Sequence, residues 1–127
     1  MYKVDSSRVT LVFGKYGTQK KRDESLVALA LRSATAAVFE HDSQTPLSSS
    51  EHVWRAGTVA LVVDPTKEEP DQKSVLTWKL WHDAITGLRE FTGAYPGERF
   101  IFAIYVPEIV KGKAEPTRVG DGRLGAD

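Results

Sequence analysis

Three histidines provide the side chains of this 127-residue sequence that titrate near neutral pH, so they are the first candidates for acid–base chemistry. His82 precedes Asp83 in a helical pattern, where neighbouring residues point about 100° apart and do not naturally hydrogen-bond. His41 ends another helical pattern, where an imidazole stabilises exposed carbonyl groups. These surroundings favour structural roles. If the chain is instead an enzyme, His52, Asp64 and His82 are the acid–base candidates.

No motif for a metal, a cofactor or a covalent nucleophile stands out. Cysteine is absent, which removes thiol catalysis, disulfides and cysteine-based zinc sites. The segment Gly120-Asp-Gly122-Arg-Leu-Gly125 matches the letters G-x-G-x-x-G, but a dinucleotide site needs a helix after that turn, and no helical pattern follows. Neither an H-E-x-x-H zinc motif nor a G-x-S-x-G serine elbow occurs. We therefore expect no metal and no cofactor, and no catalytic residue is identified.

Aromatic side chains are the strongest candidates for binding. Trp81 lies in the apolar stripe of a helical pattern and is expected in the core. Trp78 at the start of that helix and Trp54 before an apolar strand are expected to be half exposed, with Tyr105 near them. Tryptophan at a rim suits ligand stacking and protein interfaces equally well, and packing in the core is the alternative. Trp54, Trp78 and Tyr105 are therefore candidate residues for binding a ligand or a partner.

The composition is that of a single globular domain over residues 1–127, with 41% apolar and 27% charged residues. Lys plus Arg and Asp plus Glu each number 17, so no net field gathers phosphates and nucleic acid is not an expected partner. No apolar run reaches the roughly 18 residues that span a bilayer, so no membrane partner is expected. The N-terminus lacks the apolar segment of a secretory signal, which predicts a cytoplasmic protein. The alternative is a secreted protein whose signal is missing from this sequence.

Hydrophobic periodicity predicts an α+β fold. Alternation with period 2 predicts strands at 8–13 and 99–106, and a nearly continuous apolar run predicts a central strand at 52–63. Helical spacing predicts one helix from 23 to about 41 and another from a Thr77 N-cap to about 93. With a short strand near 74–77, this order gives a ferredoxin-like β-α-β-(β)-α-β sandwich, with two helices on one face of an antiparallel sheet. The Gly- and Pro-rich segment 107–127 is predicted to be a tail with one short strand around 118–124.

Two helices on one face of a sheet leave its second face without a helical cover. Strand alternation places a set of mostly apolar residues on that second face: Val12, Ala60, Val62, Ile101, Ala103 and Tyr105. An apolar surface of this kind needs a cover from the tail, a ligand or a second subunit. We expect a homodimer.

One segment resembles a known group of proteins. Residues 76–91, in which Leu76-Thr-Trp78 leads into Gly87-Leu88-Arg-Glu-Phe91, are followed by the strand at 100–106 and by Gly120-Asp-Gly122. This pattern, over about residues 76–125, resembles the C-terminal half of small, largely uncharacterised proteins of filamentous fungi. Some of those proteins are effector-like or killer-toxin-like α/β sandwiches, so the resemblance implies an interaction with another protein. The resemblance provides no catalytic residues.

These observations together favour a non-enzymatic binding domain of α+β type. We expect it to be dimeric and to bind a protein or small molecule whose identity is unknown. The alternative is a small cofactor-free enzyme, isomerase-like or cyclase-like, with an apolar cavity at the sheet or at the dimer interface. Two acid–base candidates at one cavity favour the enzyme, whereas scattered positions favour the binding domain.

Overall fold

The computed structural model describes residues 2–3, 9–15, 24–48, 50–65, 75–94 and 99–126. Most of these residues belong to two helices, α1 (Glu24–Val38) and α2 (Trp78–Ala94), and to six strands. The strands are β1 (Tyr2–Lys3), β2 (Thr10–Lys15), β3 (His52–Ala56), β4 (Val59–Pro65), β5 (Phe100–Val110) and β6 (Lys113–Ala126). Over this described part of the chain, neither helix is long and apolar enough to cross a membrane.

The strands form one antiparallel sheet in the order β1-β2-β5-β6-β4-β3. Both helices pack on the same side of it, because their buried stripes join one side of the strands in a single apolar cluster. The predicted α+β class, with two helices on one face of an antiparallel sheet, is confirmed. The ferredoxin-like topology is not confirmed. A β-α-β-β-α-β unit has four strands, whereas six are described here and the β5–β6 hairpin occupies the centre.

Residues 52–63 contain a turn, not the single continuous strand that was predicted. Gly57 and Thr58 connect β3 to β4, and Gly57 has a φ of +57°, which glycine adopts without steric cost. Glycine at the first position of a two-residue loop is typical of a type II′ turn, whose twist matches that of hairpin strands. The sequence pattern does not predict this turn, because apolar residues continue on both sides of Gly57.

The predicted tail at 107–127 is part of the sheet over its described residues. It completes β5 and forms all of β6, so the predicted short strand at 118–124 is only a portion of a strand of 14 residues. Lys111 and Gly112 connect the two strands with φ values of 51° and 80°, as in a type I′ turn. Because glycine and proline are typical of loops, the sequence pattern of this segment did not predict two central strands.

The core lies between the helices and the sheet. α1 contributes small and medium apolar side chains, whereas α2 contributes two tryptophans and aliphatic residues. The buried stripes are Val27, Ala30, Leu31, Ala34 and Val38 on α1, and Trp78, Trp81, Ala84, Ile85 and Leu88 on α2. Full burial of one large aliphatic side chain stabilises a fold by about 1.5–3 kcal/mol, so these stripes hold both helices on the sheet.

Thr77 caps α2 as predicted. The Leu80 backbone N–H donates to the Thr77 Oγ1 at 3.2 Å. The preceding loop supplies a further acceptor, since the Trp78 N–H donates to the Thr45 carbonyl at 3.0 Å. These bonds satisfy donors that the start of a helix leaves open, and they fix the loop against α2.

Candidate functional site

The side of the sheet opposite α1 and α2 is the candidate site, and we call it the helix-free face. The strand registers place on this face the residues predicted for it: Val12, Ala60, Val62, Ile101, Ala103 and Tyr105. Their neighbours along the strands, such as Leu11, Leu61 and Ile104, belong to the core on the helix side. Period-2 alternation therefore assigned this surface correctly.

The helix-free face is apolar at its centre. Ile101 is 43% exposed and Val12 is 38% exposed. Ala60 and Val62 are buried among their neighbours but lie outside the main core cluster. An open cavity of about 480 Å³ is lined in part by Val12, Val62, Ile101 and Ala103. Among the described residues, the apolar side chains that face water at the centre of this face are therefore Val12 and Ile101.

β5 and β6 continue beyond the sheet as a two-stranded ribbon at 107–116. β2 pairs with β5 only as far as Tyr105, and β4 pairs with β6 only from Gly120. Among the described residues, the two strands of the ribbon pair only with each other. Ile109 on this ribbon is 66% exposed, and its even spacing from Ile101 and Tyr105 places it on the helix-free face. An apolar row therefore follows β5 for about 26 Å.

A bulge in β6 brings two charged residues to the helix-free face. The register shifts between Ile104 and Tyr105, which leaves Val119 as an extra residue on β6. Residues three apart normally point to opposite faces of a strand, but the bulge turns Arg118 and Asp121 to the same face. The Arg118 Nη2 and the Asp121 Oδ2 are 2.6 Å apart. Both side chains are well exposed, so the pair contributes little to stability.

Three further charged residues line the cavity without a partner. Arg123 lies between Val62 and Ile101 in the register and is half-buried, while Asp64 and Glu51 are exposed at the rim. Within the described residues, none of these three side chains makes a hydrogen bond or an ion pair. A guanidinium in a partly apolar setting is stabilised by an acceptor, and within the described residues the Arg123 side chain has none.

Trp54 and Trp78 lie on the helix side of the sheet, around His52. The His52 ring centroid is 6.0 Å from that of Trp54 and 5.9 Å from that of Trp78. Trp54 stacks in turn on Trp81, with centroids 5.6 Å apart. We call His41, His52, Trp54, Trp78 and Trp81 the aromatic cluster. The structure thus brings together two of the three predicted binding residues.

Trp78 is buried, which corrects the expectation of half exposure. It is 5% exposed, and the exposed His41 ring lies parallel to its indole with centroids 4.0 Å apart and an interplanar angle of 2°. The sequence does not reveal this contact because His41 comes from the loop after α1. Trp54 is half-buried, as expected. With His41 in this position, Trp78 offers little surface to a ligand.

Tyr105 lies on the opposite side of the sheet from the aromatic cluster. It is half-buried on the helix-free face, where the register pairs it with Thr10 and Arg118. The sheet separates it from Trp54 and Trp78. The predicted binding set therefore divides between two surfaces.

The three acid–base candidates do not meet at one cavity. Asp64 lines the cavity of the helix-free face. His52 lies on the helix side, with its Nε2 3.3 Å from the Ser48 Oγ. His82 lies on α2 beside the Phe39 ring, with centroids 5.8 Å apart. Among the described residues, no group of three His, Cys, Asp or Glu side chains could hold a metal ion.

Arg123 and Ile109 are the site residues that sequence reasoning missed. Arg123 lies inside the G-x-G-x-x-G segment, where its spacing from Asp121 and Gly125 is the period-2 signal of a strand. Ile109 follows Pro107 in the segment whose glycines and prolines predict a tail. Both residues acquire their position from the central β5–β6 hairpin, whose extent was not predicted.

Neither a family model, nor a curated protein, nor a solved structure matches this chain. The helix-free face, with its apolar centre, unpaired charges and projecting ribbon, is the feature of the molecule that bears most directly on function.

Proposed function

We propose that the chain is a non-enzymatic interaction domain that forms a homodimer through its helix-free face. The observation that carries this proposal is the apolar row along β5, in which Ile101 is 43% exposed and Ile109 is 66% exposed. Contiguous apolar surface on a soluble domain marks an interaction site, whereas single exposed apolar residues do not. A second copy placed on this row removes it from water.

The helix-free face supplies a substantial part of the area that a dimer interface needs. Six strands spaced ~4.8 Å apart span about 24 Å across the sheet, and the part of β5 that pairs with β2, Phe100–Tyr105, runs for about 17 Å. The flat area is on the order of 400 Å², about half of the roughly 800 Å² that each partner contributes to a standard interface. The ribbon at 107–116 adds surface beyond the edge of the sheet.

The positions of the acid–base candidates support binding over catalysis. A general acid and a general base must both lie within hydrogen-bond reach of one substrate. His52 and His82 lie on the helix side of the sheet, and Asp64 lies on the other side. The cavity on the helix-free face has Asp64 in its lining, but neither His52 nor His82 reaches it, so the isomerase-like or cyclase-like enzyme stays a prediction. The effector-like role implied by the fungal resemblance also stays a prediction.

Sedimentation velocity tests the homodimer. We expect the wild-type chain to dimerise at micromolar concentrations. Ile101→Asp is expected to raise the dissociation constant at least about tenfold, because it removes apolar contact from the centre of the interface and places a carboxylate opposite Arg123, where it competes with any acceptor on the second copy. Circular dichroism checks that the variant keeps its fold.

Leu29→Asp is the matched control. Leu29 is 46% exposed, close to Ile101, but it lies on α1 outside the helix-free face. We expect this variant to dimerise like the wild type. A wild-type monomer across the micromolar range contradicts the proposal, and so does equal weakening of the dimer by both substitutions.

A further inference from the structure

The unpaired charges around the cavity include both signs. Arg123 is positive, whereas Asp64 and Glu51 are negative, and within the described residues none of their side chains is engaged in a hydrogen bond or an ion pair. In a twofold dimer the same patch meets itself, so every charge must find its opposite within that patch. A patch of one sign repels its copy. The helix-free face carries the mixture that a second copy requires.

Arg123 and Asp64 lie on adjacent strands but are not direct partners in the sheet. The register of β4 and β6 pairs Val62 with Arg123 and Asp64 with Asp121. Arg123 and Asp64 are therefore diagonal neighbours, which in antiparallel strands are ~7–8 Å apart. Asp121 is engaged with Arg118. Arg123 and Asp64 thus remain available to groups outside the chain.

We infer that the occupant of the helix-free face is a second copy of this chain, oriented so that Arg123 binds the partner's Asp64 and Asp64 binds the partner's Arg123. The inference rests on the proposed homodimer and adds the contacts that set its orientation. Val62, Ile101 and Ala103 line the same cavity and exclude water from both pairs once the faces meet. Paired charges inside an interface fix its register and reject wrong partners.

A charge exchange between two variants tests this pairing. We expect Arg123→Glu and Asp64→Arg each to raise the homodimer dissociation constant at least about tenfold, because each places like charges opposite one another twice. In an equimolar mixture, the two variants are expected to form a heterodimer within about threefold of wild-type affinity, since every charge then faces its opposite. Arg32→Glu, at an exposed position of α1, is the matched control and is expected to leave the affinity unchanged.

The double variant R123E/D64R separates a contact between copies from a contact within one copy. A pairing between copies is restored both in the mixture and in the double variant, whereas a pairing within one chain is restored in the double variant alone. Restoration in the double variant alone overturns the inference, and so does wild-type affinity in both single variants. If a single variant fails to fold, failure of the folded double variant to dimerise still overturns the inference. A wild-type monomer instead defeats the homodimer itself.

Discussion

Gly122 occupies a position in β6 with no space for a side chain. A Cβ built there would meet the carbonyl oxygen of Val62 and would lie 2.7 Å from the Cζ of Phe102. The first of these atoms belongs to the backbone of β4 and cannot move aside as a flexible side chain can. Glycine within a strand costs roughly 0.5–1 kcal/mol relative to alanine, and here the close approach of two strands requires it.

We expect Gly122→Ala to lower the free energy of unfolding by about 2 kcal/mol, because overpacking against backbone costs about 1–3 kcal/mol. Gly93→Ala is the matched control, since no atom lies within 4 Å of a Cβ built at that position in α2. It is expected to raise the free energy of unfolding by up to about 1 kcal/mol, the helix preference of alanine over glycine. Urea denaturation followed by tryptophan fluorescence measures both. Equal effects of the two substitutions would contradict the steric explanation.

Individual residues were predictable where their surroundings are set by local periodicity. Alternation along a strand is local, so the sequence places Val12, Ile101 and Tyr105 on the correct face. The burial of Trp78 was not predictable, because the ring that covers it belongs to His41 in a separate segment. Arg123 was not predicted as a site residue, because its position between Val62 and Ile101 depends on which strands flank β6.

The start of α2 shows how a side chain and a loop together define an element. Thr77 Oγ1 accepts the Leu80 N–H, and a hydroxyl cap of this kind contributes about 1 kcal/mol. We therefore expect Thr77→Ala to lower the free energy of unfolding by about 1 kcal/mol, as measured by thermal or chemical denaturation. Thr77→Ser keeps the hydroxyl and is expected to retain most of that stability. Equal losses in both variants would assign the effect to the methyl group instead.

The helices were more predictable than the strands. α1 was predicted at 23–41 and is found at Glu24–Val38, because its apolar stripe repeats over 15 residues. The β3–β4 turn escaped prediction because Gly57 lies within an apolar run. The ribbon was not predicted because proline is typical of loops, yet Pro107 and Pro116 are paired across its two strands. Beyond the sheet, within the described residues, each strand of the ribbon has one unpaired edge. Proline is tolerated there because an edge strand does not need every backbone donor.

A homodimer makes the stability of the whole molecule depend on its concentration. We expect the midpoint of thermal unfolding of the wild-type chain to rise over an about hundredfold increase in protein concentration, because mass action favours the associated folded state. The midpoint of Ile101→Asp is expected to change much less. Differential scanning calorimetry measures both series. A wild-type midpoint that is independent of concentration would contradict the homodimer.

The topology of the whole sheet was beyond the reach of sequence patterns. The order of elements was sufficient to predict the α+β class and two helices on one face. It was insufficient to predict that β5 and β6 lie between β2 and β4. Periodicity reports which side of a strand is buried, but it carries no information about which strands become neighbours.

The central place of β5 and β6 affects how the chain folds as it leaves the ribosome. These two strands follow all the others in the sequence, yet they join β2 on one side to β4 on the other. Until they emerge, β4 presents an apolar strand with an open edge, which invites pairing with other chains. The sheet therefore closes only after all of its other strands have been synthesised. Substitutions that slow the pairing of the β5–β6 hairpin should therefore prolong the exposure of β4 and raise the demand for chaperones during synthesis.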